Sequence, residues 1–350
     1  MNFDLDGKVI LITGGTGSFG QRFCKTVLRR FQPRKLIVFS RDELKQFEMS
    51  HDPEIGPHKA MRFFIGDVRD RARLDMALRD VDYVVHAAAL KQIPTTEYNP
   101  FECIRTNVYG AENIVSAAIN AGVKKVIALS SDKAANPINL YGASKLAADK
   151  IFVAAEHLVG SADTRFSVVR YGNVLGSRGS VVPYFRHLIE HGAESLPITD
   201  PRMTRFWITL GQGVEFVLSS LELMEGGEIF VPKIPSMKVV DLADTMAPDL
   251  PTRCIGIRPG EKLHEAMITE DDARNTHELS DRYVITPAFY EDLGRHLPPD
   301  AKPVAEGFCY SSENNPNWLN HDEMRRFLSE IGIACPVSQL VQSTTTAEFP

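Results

Sequence analysis

The chain has 350 residues, 43% hydrophobic and 24% charged, with a formal net charge of −6, which suits one large globular domain or two coupled ones and excludes disordered, collagen-like and disulfide-scaffold classes. The acidic balance leaves no electrostatic footprint for nucleic acid. Five scattered cysteines without a Cys-x-x-Cys fit a reducing compartment, and no His, Cys, Asp and Glu set has metal-ligand spacing, so no metal is expected.

In chain order, residues 1–8 carry Asp4 and Asp6 instead of a basic leader and run straight into a strand. Apolar stretches such as 83–90 fall well short of the roughly 20 residues of a membrane span. A cytoplasmic protein with no membrane contact is expected. Residues 8–13 (KVILIT) predict a buried strand and 18–31 a helix. Further strands are expected at 35–40, 61–66, 82–87, 125–130 and 166–171, with helices at 71–78, 100–121 and 141–159. Short β-branched runs buried on both faces and separated by helices indicate a parallel sheet with right-handed crossovers. The expected fold class is therefore α/β: a Rossmann-like doubly wound parallel sheet over residues 1–172. After Tyr171 the alternation weakens, and Val182-Pro183, Leu196-Pro197, Asp200-Pro201 and residues 233–235 read as loops. Helices are expected at 211–224 and 239–246. Residues 173–336 are read mostly as a smaller C-terminal α/β substrate-binding lobe, with 205–225 packing back on the first. Residues 337–350, Ser/Thr-rich, read as a loose tail.

The first strand ends in Thr13-Gly14-Gly15-Thr16-Gly17-Ser18-Phe19-Gly20, a Gly-x-x-Gly-x-x-Gly loop that opens a helix. Gly14 permits the tight turn, Gly17 lets backbone approach a pyrophosphate, and Gly20 brings helix and strand together, with the helix N-terminus facing the anion. The second strand ends in Ser40-Arg41-Asp42-Glu43, followed by Lys45. Ser40, Arg41 and Lys45 suit the 2′-phosphate of NADP, whereas Asp42 and Glu43 either bind a ribose hydroxyl, as for NAD, or cap the next helix. NADP is favoured. Asp67 and Val68 after strand three, and Ala87 to Ala89 after strand four, extend the cofactor wall. Lys91, just beyond, can reach both cofactor and substrate. His86, inside a strand, reads as a core histidine, and Trp207 as core or ligand platform.

Tyr141 and Lys145 are four apart at a helix start and share a face. A phenol is a poor base at neutral pH, and a neighbouring ammonium is expected to lower its pKa and make Tyr141 a usable acid/base. Upstream, strand five ends in Ser130-Ser131-Asp132-Lys133.

A glycine loop, a strand-end serine and Tyr-x-x-x-Lys in this order resemble the extended short-chain dehydrogenase/reductase superfamily, which acts largely on nucleotide sugars. The Asp132-Lys133 pair resembles that of the C5-inverting UDP-N-acetylglucosamine 4,6-dehydratases of the bacterial pseudaminic acid pathway, where other sugar-nucleotide dehydratases carry Asp-Glu. Residues 40–45, Asn136 to Gly142, Arg170 to Val174, Met203 to Ile208 and Arg258 to Leu263 extend the resemblance over nearly the whole chain. It implies an NADP-dependent enzyme in which Tyr141 takes the 4-hydroxyl proton, Lys133 takes the C5 proton and Asp132 protonates the departing 6-hydroxyl. Those roles call for a lowered Lys133 pKa and a raised Asp132 pKa. Lys145, Ser130, Leu129 and Val174 are implied on the cofactor. Arg205 and Arg258 are implied on the diphosphate, where bidentate donors fit, and Glu261 on the uridine ribose. Asn173 and Arg178 stand beside them. A homo-oligomer is implied. The alternatives are a UDP-N-acetylglucosamine 4- or 5-epimerase using the same 4-keto intermediate, a reductase with net cofactor turnover, and a non-catalytic NADP-binding sensor.

Overall fold

A run of aliphatic residues with no polar face is stable as a strand only when both sides are covered. Val9–Thr13 (β1) is buried at every position and lies inside a ten-stranded sheet. The structure, a computed structural model, describes residues 4–288 and 297–335, so the tail expected at 337–350 lies outside the described residues. Lys35–Ser40 (β2), Met61–Ile65 (β3), Tyr83–His86 (β4), Lys125–Ser131 (β5) and Arg165–Tyr171 (β6) join β1 in the order β3-β2-β1-β4-β5-β6, every pair parallel. This is the doubly wound order.

The sheet continues past residue 172. Ile229–Pro232 pairs in parallel with β6, and Arg282–Ile285, Thr276–Glu278 and Lys302–Pro303 then add antiparallel strands at the edge. The Leu210–Leu223 helix places Val214, Val217 and Leu221 in the main core, and its Glu215 pairs with Arg30 on the Ser18–Arg30 helix. A second core gathers Leu175, Phe185, Met203, Trp207, Leu242 and Leu328. Trp207 is therefore core.

Two loop expectations are corrected. Val182-Pro183 lies in the first turn of a Val181–Glu190 helix, where proline forgoes an N–H that has no intrahelical partner anyway. Leu196-Pro197 belongs to a short strand, Leu196–Ile198, paired with Thr252–Cys254. The helix expected over 100–121 is interrupted by a π-turn at Arg105–Tyr109 and ends at Gly122 in the left-handed conformation. That over 141–159 runs Leu140–Ala154, then tightens to a 3₁₀ turn.

Candidate active site

Strand order reverses between β1 and β4, and ligands in open α/β sheets bind in the crevice beyond such a point. A cavity of about 530 Å³ lies there, lined by Gly14, Thr16, Gly17, Ser18, Phe19 and Gly20. Thr13 Oγ1 ties the two strand ends together, bonding His86 Nδ1 at 2.8 Å and accepting from Ala87 and Ala88 N–H. A Cβ on Gly14 would meet Ala88 Cα at 2.9 Å, and one on Gly20 would meet Gly15 Cα at 2.4 Å. Small residues are thus required where loop and helix close up. The helix begins at a Gly17 cap that supplies no side-chain acceptor, which leaves its N-terminal N–H groups for an anion. The cradle fits a dinucleotide pyrophosphate.

At the end of β2, Ser40 Oγ lies 2.9 Å from Thr16 Oγ1, and Ser40, Arg41 and Lys45 all line the cavity. Arg178 also lines it, its N–H 3.4 Å from Ser18 Oγ. Asp42 instead caps the Glu43–Ser50 helix, accepting from Lys45 N at 3.0 Å and Lys45 Nζ at 2.5 Å. These bonds hold its carboxyl below the usual range. Neither Asp42 nor Glu43 is on the cavity wall. Asp67 is on the wall with Val68. Burial would raise its carboxyl, but hydrogen bonds from Arg69 more than offset this and lower it.

Ala87, Ala89, Lys91, Leu129, Ser130, Asp132, Lys133, Tyr141, Lys145, Asn173 and Val174 complete the same cavity. Lys145 donates to Leu129 O at 2.7 Å, and burial keeps its pKa down. The expected acidification of Tyr141 does not occur. Burial pushes the phenol up to about 12, and the groups that oppose this are the Lys133 ammonium and a hydrogen bond with Ser131, not Lys145. A lowered Lys133 is likewise not what forms. Burial pulls the ammonium down, but the carboxylates of Asp132, 3.0 Å away, and Glu265, 3.3 Å away, outweigh it and the group is raised. Asp132 is buried. Its Oδ1 accepts from Ser131 Oγ at 2.9 Å and from Lys133, while Oδ2 has no hydrogen-bond partner among the described residues. Asn173 Oδ1 is 3.5 Å from Lys133 Nζ.

Close backbone packing explains the motifs around these groups. A Cβ on Gly142 would meet Lys133 O at 2.2 Å, so only glycine lets the Leu140–Ala154 helix start against the Asp132–Ala134 turn. A Cβ on Gly172 would meet Phe206 Cβ at 2.4 Å, and Asn173 pairs with Trp207. Asn139 caps the helix through Gly142 N and donates to Gly260 O at 2.8 Å, which joins the Arg258-Pro259-Gly260-Glu261 loop to Tyr141's helix.

Three residues expected on the substrate lie off the cavity wall. Arg205 is buried and donates to the carbonyls of Thr204, Lys262 and Leu263 at 2.7–3.1 Å, with Nε 4.0 Å from Glu265. Its guanidinium is committed to holding this loop. Arg258 is exposed, 3.8 Å from Glu261, whose Oε2 is buried without a hydrogen-bond partner among the described residues. Sequence reasoning missed Ser131, the link between Tyr141 and Asp132, although strand alternation already sends Ser130 the other way, to Asp149 at 2.8 Å. It also missed Glu265, which carries no local signal. Among the described residues no group of three or more His, Cys, Asp or Glu could hold a metal ion, and no helix is long and apolar enough to cross a membrane.

The profile of a family described as polysaccharide biosynthesis protein matches residues 10–287. A Campylobacter jejuni subsp. jejuni (serotype O:23/36, strain 81-176) protein named UDP-N-acetylglucosamine 4,6-dehydratase (inverting) is 57% identical over 325 residues, 91% of this chain and 96% of that one. A Rickettsia typhi protein named UDP-glucose 4-epimerase is 42% identical, over 92% of this chain and 95% of that one. The X-ray structure of Pen from Bacillus thuringiensis superposes with a TM-score of 0.86 at 36% identity, covering 95% of this chain and 100% of that one.

Proposed function

The chain belongs to the polysaccharide biosynthesis protein family, within the extended short-chain dehydrogenases/reductases, and on that premise we propose that it is an NADP-dependent, C5-inverting UDP-N-acetylglucosamine 4,6-dehydratase. The product would be UDP-2-acetamido-2,6-dideoxy-β-L-arabino-hexos-4-ulose, formed by a carbon–oxygen lyase reaction as the first step of pseudaminic acid biosynthesis in a bacterial cytoplasm. The observation that carries this reading is the Asp132–Lys133 contact at 3.0 Å, on the wall of the cavity that Tyr141 also lines. An oxidation alone needs the tyrosine; removal of water needs a further acid and base.

In this reading Gly14, Thr16 to Gly20, Ser130 and Lys145 hold the dinucleotide, and Ser40, Arg41, Lys45 and Arg178 hold its 2′-phosphate. A dinucleotide held there would supply a hydride acceptor and donor, so that the reaction needs no net redox change. Tyr141 accepts the 4-hydroxyl proton. Its own proton leaves through Ser131 Oγ, which donates to Asp132 Oδ1 at 2.9 Å, and so loads Asp132 as the acid that protonates the departing 6-hydroxyl. The C4 ketone acidifies C5–H, and Lys133, whose partly exposed side chain first releases its ammonium proton to solvent, takes the C5 proton. Tyr141 stands on a separate element from Lys133 and can return a proton to the other face of C5. Arg258 and Glu261 bind the UDP portion, the latter through Oε2, which has no hydrogen-bond partner among the described residues. Exposed Tyr98 and Phe101 support self-association into a homo-oligomer.

Incubation with UDP-N-acetylglucosamine and NADP, followed by mass spectrometry and NMR, tests the reading. A product lighter by one water with inverted C5 is expected. The Rickettsia likeness supports an epimerase as second reading; an isomer of unchanged mass would replace the first reading with that one. Net cofactor reduction would indicate a dehydrogenase, and NADP binding without turnover a sensor.

A further inference from the structure

We propose that Glu265 is a positioning residue for this reaction, holding Lys133 in place and setting its charge; the proposal rests on the dehydratase reading. Glu265 is buried and comes from the far half of the chain, just before the short strand Ala266–Ile268. Its backbone is fixed on both sides by one residue: its N–H donates to Ser312 Oγ at 3.0 Å, and its carbonyl accepts from Ser312 N at 2.7 Å. Ser312 Oγ lies 2.7 Å from Thr204 Oγ1 in turn. The backbone that carries the carboxylate is thus fixed. Oε1 faces Lys133 Nζ at 3.3 Å and Arg205 Nε at 4.0 Å. Oε2 is buried without a hydrogen-bond partner among the described residues, with Lys262 Nζ at 3.7 Å.

The charged and titratable groups facing Lys133 are Asp132 beside it, Tyr141 from the Leu140–Ala154 helix, Glu265 and Lys262 from the 262–265 segment, Arg205 from Thr204–Ile208, and Lys91 after β4. Asp132 and Glu265 are the two carboxylates in contact with the ammonium. Asp132 also accepts from Ser131, so its charge changes if that path carries a proton, whereas Glu265 stands off the path. Glu265 therefore keeps Lys133 aligned while Asp132 passes through its neutral form.

The test uses Glu265→Gln in the full-length protein. Titration of Lys133 is followed first without substrate, from the pH dependence of its modification by an amine-reactive acylating reagent, read by mass spectrometry. Loss of one carboxylate within 4–6 Å is expected to move the half-modification point down by roughly one to three pH units. In turnover, the limb of kcat/KM on which Lys133 must lose its proton moves to lower pH by the same amount, and plateau kcat falls about tenfold to a hundredfold. A half-modification point equal to wild type overturns the proposal, even if activity is lost. If Glu265→Gln does not fold, Glu265→Asp is measured instead: a smaller downward shift with lowered kcat and unchanged KM supports the proposal, and an unmoved limb overturns it. If the wild-type protein makes no dehydrated product, the dehydratase reading fails separately, because the substrate-independent titration still reports on Glu265.

Discussion

Tyr141 and Lys133 sit in one cavity with both acidities set against easy deprotonation: the phenol is pushed up to about 12 by burial, and the ammonium is raised because two carboxylates outweigh burial. Each must lose a proton to act as a base, so the reactive fraction grows with pH. We expect kcat/KM to rise steadily between about pH 7 and 9; a flat or falling profile would remove both from their roles. Tyr141→Phe deletes only the hydroxyl and should cut kcat by about 10²–10⁴-fold with the melting temperature unchanged, checked by product-resolved kinetics. At the cofactor's other end, Arg41 is half-exposed with Asp67 3.7 Å away, a weak pairing that leaves it available to a phosphate. Arg41→Ala should weaken NADP by about tenfold and leave NAD affinity unchanged by calorimetry. Equal loss for both would assign the 2′-phosphate elsewhere.

The Leu140–Ala154 helix delivers Tyr141 to Lys133 only because its third residue has no side chain. A Cβ on Gly142 would lie 2.2 Å from Lys133 O, so an alanine forces helix and turn apart. Overpacking of this kind costs about 1–3 kcal/mol. A displacement near 1 Å at the reacting groups costs about a hundredfold in rate. Gly142→Ala should therefore lose activity far out of proportion to stability and weaken NADP much less than it lowers activity, since the glycine cradle lies on a different helix and only Lys145 of this helix holds the dinucleotide. Thermal melting, calorimetry and kinetics on one preparation separate these effects. Loss of NADP binding along with activity would mean that the helix shift spreads into the cofactor half.

For the whole molecule, the central sheet sets an acid limit. His86 is fully buried at the end of β4, and its pKa is lowered to about 3, first by burial and then by Lys145. The unfolded chain binds this proton from about pH 6.5 downward, whereas the folded one does not until near pH 3. Stability from His86 is thus present above about pH 6.5 and is lost as pH falls towards 3, by roughly 3–5 kcal/mol over that window. His86→Asn retains a polar partner for Thr13 and should flatten the fall, measured by urea unfolding at several pH values. An unchanged pH dependence would show that His86 does not carry it.

The sequence by itself determined the parallel sheet and its cofactor cradle. Runs such as KVILIT cannot be stable with one face in water, and a glycine loop between strand and helix presents backbone N–H groups to an anion. It also determined that Asp132 and Lys133 lie near Tyr141, because strand end and helix start are close along the chain. Only the tertiary structure decided what those groups are worth. The charge on Lys133 depends on Glu265, the acidity of Tyr141 on how deeply it is buried, and the fate of Arg205 on which carbonyls surround it. Each is set by residues distant along the chain, and desolvation and Coulomb energies follow distance in space. No local pattern encodes them.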